Sequence, residues 1–186
     1  MMNEPEIDSF PLHSAIKKGE YDSAKELILN AKETNLDLNR ETDQHITPLI
    51  EACICGSTEI VEMLLDSGCP AQPPAGFHHS PLRGATVCGH SHLIPLLLKH
   101  GADPNALSDG NRTPLMGGCF LRKDVSDAPT KSALCVKELL LDSRTDPTLV
   151  NTFGESALDL ANIRGYDKSV QLVKNAVEQW NAKTNK

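Results

Sequence analysis

Cysteine and histidine are the residues of this chain best suited to chemistry, and there are six of the first and seven of the second. Cys53 and Cys55 are one residue apart; Cys69, Cys88, Cys119 and Cys135 stand alone. A structural zinc site calls for paired ligands at set spacings. A single C-x-C on a helix does not supply them, because residues two apart point to different faces. Five histidines fall close together in sequence: His78, His79, His90, His92 and His100. They sit at different heights of one structural unit, so they offer adventitious metal contact and a mild response to pH rather than a catalytic trio. No GxGxxG, GxxxxGK[ST], HExxH or GxSxG is present, which removes the common phosphate, dinucleotide, metalloprotease and hydrolase signatures. Glu59, Glu62 and Asp66 follow helical spacing and read as a solvated face. The chain is therefore expected not to be an enzyme, and to use no cofactor and no metal.

Composition points the same way. Hydrophobic residues make up 39% of the chain but aromatic residues only 4%. A core of Leu, Ile, Val and Ala suits helices packed on helices better than a strand-rich sandwich. Acidic residues outnumber basic ones by 25 to 18, for a net charge of -7. Lys and Arg are scattered rather than gathered on one face, so no nucleic-acid partner is expected. The acidic excess favours solubility and biases the chain toward basic partners. No apolar run is long enough to span a bilayer, and MMNEPEIDSF lacks the apolar centre of a secretory signal. No membrane association is expected. The six cysteines then read as free thiols of a reducing compartment, the cytoplasm with the nucleus as an extension of it.

Elements that could position side chains appear as an internal repeat. Pro11-Leu12-His13, Thr47-Pro48-Leu49, Ser80-Pro81-Leu82 and Thr113-Pro114-Leu115 share one pattern, and Ser156-Ala157-Leu158 is a worn fifth copy. The prolines are 37, 33 and 33 residues apart, and Ala157 follows Pro114 by 43. The period is 33, with 4 extra residues in the first unit and 10 in the fourth. Thr or Ser before Pro starts a helix: the hydroxyl caps free amides, and Pro sits where no N–H is needed. Small residues follow at Ala15, Ala52, Ala85, Gly117-Gly118 and Ala161; Gly19, Gly56, Gly89 and Gly165 close the first helix. An apolar run such as Leu93-Ile94 with Leu97-Leu98 then forms a second helix.

These residues resemble the ankyrin repeat family, with its T-P-L-H-x-A signature. The third unit matches best, from Ser80-Pro81-Leu82 through Gly89-His90 to Gly101-Ala102-Asp103-Pro104-Asn105. The resemblance covers about residues 8–178. It implies an all-α solenoid of helix-turn-helix units with short β-turn fingers. The repeats run approximately over 8–41, 42–74, 75–107, 108–150 and 151–178, with an exposed loop inserted at about 121–133 in the fourth. Departures are visible. Only His13 keeps the signature histidine; Ile50, Arg83, Met116 and Asp159 replace it, so the histidine-linked loop network should be patchy. In repeat register Cys53 and Cys119 take a small buried position. Polar terminal units read as caps, which predicts a complete array. Asn105 resembles the asparagine that an oxygen-dependent hydroxylase modifies in such repeats.

Family members bind proteins on the concave side, lined by fingers and first helices. Carried over by position, the exposed inner-helix residues are Ile54, Cys55, Val87, Cys88, Phe120, Leu121, Ile163 and Arg164. The finger tips add Asp43, Gln44, Ile46, Phe77, His79, Asp109, Arg112, Phe153 and Glu155. Exposed aromatic residues and arginine are the types enriched at hot spots. The resemblance thus implies a module, monomeric on its own, that binds a protein or extended peptide as adaptor, inhibitor or assembly chaperone. A structural spacer without a groove ligand is the alternative reading; an enzyme is a distant third.

Overall fold

The computed structural model of the chain describes residues 9–73 and 79–184. Five inner helices follow one another: α1 (Pro11–Lys18), α4 (Pro48–Cys55), α6 (Pro81–Val87), α8 (Pro114–Cys119) and α10 (Ala157–Arg164). Each is followed by an outer segment: α2 (Tyr21–Leu29) with the short α3 (Ala31–Thr34), then α5 (Thr58–Asp66), α7 (Ile94–Lys99), α9 (Ala128–Leu140) and α11 (Asp167–Thr184). Consecutive inner helices pack side by side along the stack, and α2 lies on α5, α7 on α9, and α9 on α11. This is an all-α ankyrin-type solenoid.

The start signals work as their chemistry requires. The hydroxyls of Thr47, Ser80 and Thr113 accept from the amides of Ile50, Arg83 and Met116 at 3.3, 3.2 and 3.2 Å. Ser156 does the same for Asp159, whose carboxylate reaches back to the Ser156 amide at 2.8 Å. That reciprocal pair satisfies two orphan donors and replaces the missing proline. Outer helices are held by apolar residues at helical spacing. Ile60, Val61, Leu64 and Leu65 of α5, Ile94 and Leu97 of α7, and Cys135, Val136 and Leu139 of α9 all enter one continuous core. Each fully buried Leu or Ile contributes about 1.5–3 kcal/mol.

The extra residues have two different uses. In the first unit they form α3, a further turn that ends where Asn35 takes a left-handed conformation. In the fourth unit the loop is shorter than expected. It ends at Asp127, and Pro129, Thr130 and Lys131 belong to α9. Proline in a first helical turn starts a helix rather than prolonging a loop. The insertion thus supplies a loop over 120–127 and a lengthened outer helix.

Two of the fingers are hairpin turns each held by a single bridge, Ser108 with Arg112 and Val150 with Ser156; the turn before α4 closes with the Thr42 amide donating to the Ile46 carbonyl at 3.0 Å. Adjacent fingers are stitched together by the Thr152 amide donating to the Gly110 carbonyl at 2.9 Å. At the opposite edge, Asn105 donates to the Arg144 carbonyl at 2.7 Å and accepts from the Asp146 amide at 2.8 Å. Its side chain braces the closing loops of repeats three and four.

Repeats two and three meet through a histidine seat. His90 Nε2 donates to the Ile54 carbonyl at 3.0 Å, and a Cβ on Gly56 would fall 2.4 Å from the imidazole. Gly56 also has φ +76°, so only glycine fits both demands. Burial lowers the His90 pKa below its ordinary 6.5; the Ile54 carbonyl opposes this, and the charges of His92 and Lys131 add to it. The unfolded chain therefore binds a proton here before the folded one does. Stability is full above about pH 6.5 and falls as pH drops below it. The thermal midpoint should fall between pH 7.5 and pH 5, and His90→Gln should flatten that dependence. Identical slopes for the two proteins would remove His90 as the cause.

Candidate functional site

Three clefts run end to end along the inner helices and fingers. The first, about 370 Å³, is lined by Phe10, His13, Asp43, Gln44, Ile46 and Glu51 among others. The second, about 130 Å³, includes Ile46, Ile54, His79, Arg83, Val87, Cys88 and Arg122. The third, about 240 Å³, includes Arg83, Val87, Arg112, Met116, Phe120, Glu155, Leu160 and Ile163. Ile46 belongs to the first two, and Arg83 and Val87 to the second and third. They form one groove across repeats one to five. A larger cleft of about 620 Å³ lies among α2, α3 and α5, on the outer-helix side. It does not connect to the groove and shares none of its residues.

Most groove positions anticipated from sequence lie at this surface. Phe120 and Ile163 are 41% and 62% exposed, and Phe153 at its finger tip is 74% exposed. Ile54, Cys55 and Val87 are half-buried. Asp43, Gln44, Asp109 and Arg112 are exposed finger residues, and His79 and Glu155 are partly covered. Arg164 lies behind the groove wall, its guanidinium 4.2 Å over the Phe120 ring and donating to the Leu121 carbonyl. Phe77 and His78 lie outside the described residues.

Two positions are corrected. Leu121 is 0% exposed and packs inside. Without a glycine after α8, the chain leaves the helix at Phe120 with φ -135° and ψ 65°, neither helical nor left-handed, and the Arg122 amide donates to the Val87 carbonyl at 2.9 Å. That bond lays the segment against repeat three and turns Leu121 inward. Cys88 is also buried. Arg122 lies over it with Nη1 3.9 Å from the sulfur, and burial raises its thiol pKa while the arginine charge opposes the rise. Cys53 and Cys119 occupy the small buried position expected of them.

Arg83 is the residue whose importance the sequence understated. In repeat one, His13 Nε2 donates to the carbonyl of Ile46 in the next finger, at 2.8 Å. Arg83 holds the same place in repeat three, facing the finger of Arg112. There the Arg112 carbonyl already accepts from the Ser108 amide at 3.1 Å and the Ser108 hydroxyl at 2.9 Å. Arg83 Nε is left buried with no hydrogen-bond partner, as is Arg164 Nε. Burial lowers the Arg83 pKa below the usual arginine range; nearby Arg112 adds to this, and Asp109 and Cys88 oppose it.

Residues 2–74 match the family model described as ankyrin repeats (3 copies). Residues 2–74 carry ankyrin repeats. The match covers the first part of the chain, and the later units repeat the same helix pairs with Thr113 and Ser156 capping as Thr47 does. No curated protein matches the chain. Ankyrin repeats are in general protein–protein interaction modules. Among the described residues, no three His, Cys, Asp or Glu come together to hold a metal, and no helix is long and apolar enough to cross a membrane.

Proposed function

We propose that this ankyrin stack captures a protein or an extended peptide in its inner-helix groove, serving as an adaptor, inhibitor or assembly chaperone. The observation that carries the reading is the apolar strip of Ile54, Val87, Phe120 and Ile163 along the clefts, beside the polar finger residues His79, Arg112 and Glu155. Apolar surface rimmed by polar groups marks an interface on a soluble protein. Specificity comes from the finger side chains, and affinity from the strip.

Affinity capture with three baits tests it: wild type, Ile54→Arg/Ile163→Arg in the groove, and Leu29→Arg on the exposed outer-helix side. All three should show equal helical content. Proteins retained by wild type and Leu29→Arg but lost by the groove variant support the reading. Equal retention by all three moves the interface off the groove, and no specific capture by any favours a spacer.

A further inference from the structure

The third cleft contains an unmet electrostatic demand. Its floor is apolar, formed by Val87, Met116, Phe120, Leu160 and Ile163. Its charged lining consists of Arg83, Arg112 and Glu155. Glu155 already accepts from Asn151 Nδ2 at 2.8 Å. Arg83 has a buried Nε with no partner, and among the described residues no ion pair includes Arg83 or Arg112. A buried donor on a cation, lying near a second cation, is costly to leave unmade. The group that satisfies both guanidinium forks at once is a carboxylate, which arginine binds in bidentate geometry.

We propose that the cleft between repeats three and five binds an acidic side chain of an extended peptide at Arg83 and Arg112, with a neighbouring apolar side chain seated among Phe120, Leu160 and Ile163. This rests on the groove-binding reading above and names the partner's chemistry. It also reverses the expectation from net charge: the chain as a whole is acidic, yet this part of its groove selects an anion. Asp109 lies close enough to act on Arg83. It sits on a finger tip at the rim and is exposed, so it screens the approach without filling the cleft. Arg164, stacked on Phe120, fixes the ring that forms the apolar wall.

The test is a selection from a random 12-residue peptide library displayed on phage, with wild-type chain as bait. Enriched peptides are then synthesised and measured by fluorescence polarisation against wild type, Arg83→Gln, Arg112→Glu and Ile163→Arg. Arg112 is exposed, so Arg112→Glu leaves the fold intact even if Arg83→Gln does not; melting curves check both. The expected result is enrichment of Asp or Glu beside Leu, Ile or Phe. Binding should weaken at least about tenfold in both arginine variants, and equally when the peptide's Asp becomes Asn, as for loss of a charged hydrogen bond. Enriched peptides without an acidic preference, or insensitive to both arginine variants, overturn the inference. If those peptides are still lost with Ile163→Arg, the groove reading stands without it. No enrichment over an empty bait counts against both.

Discussion

Leu121→Asp should lower the unfolding free energy by more than about 4 kcal/mol, the sum of a lost core leucine and a carboxylate forced out of water. Its neighbour should behave in the opposite way. Phe120 is exposed and its ring rests on the Arg164 guanidinium, so Phe120→Asp should change stability by about 1 kcal/mol or less while weakening groove capture. Leu121 is fully buried and its carbonyl receives Arg164, so a change there reaches both the core and the groove wall. Urea unfolding of the two variants decides the matter. Similar losses in both would mean that the chain leaves α8 in a different register.

Gly117→Val should cost about 3–5 kcal/mol and separate the stack at one seam. A Cβ on Gly117 would meet Thr86 Oγ1 at 2.7 Å and Val87 Cγ1 at 3.0 Å. Val87 is half-buried and can give; Thr86 is fully buried and its hydroxyl donates to the Arg83 carbonyl at 3.0 Å. Moving Thr86 breaks that bond inside the core, which adds to the overpacking of about 1–3 kcal/mol. Better helix propensity returns roughly 0.5 kcal/mol. Because repeats are coupled only to their neighbours, weakening one interface should also divide a single unfolding transition into two. An unchanged, single transition would show that Thr86 does not hold the seam.

What the sequence disclosed and what it hid differ in kind. Caps at Thr47, Ser80, Thr113 and Ser156, and small residues such as Gly117, are local signals repeated in phase, so the repeats and the groove-facing helices could be read directly. The end of the insertion could not, because Asp124 to Lys131 is mostly polar, with only Val125 and Ala128 as apolar side chains besides Pro129, and shows no helical spacing; only Pro129 hinted at a helix start. Leu121 was misplaced because its direction depends on the bond from Arg122 to Val87, which joins two repeats. Arg83 was seen only as a departure from the signature histidine. Its unmet donor arises because the Ser108 hydroxyl, in the next finger, has taken the carbonyl that a histidine would use. Pairings across repeats carry no fixed spacing, and spacing is what a sequence shows.

The thiols also give the array an internal record of its own opening. All six are unpaired, and burial pushes Cys69 up to about 11 and Cys119 and Cys135 up to about 12. At neutral pH these sulfurs stay protonated and slow to alkylate until the surrounding repeat comes apart. They lie only in the three middle units. Either end can fray without leaving a mark, so the order in which Cys69, Cys119 and Cys135 become labelled dates the breaking of the centre alone.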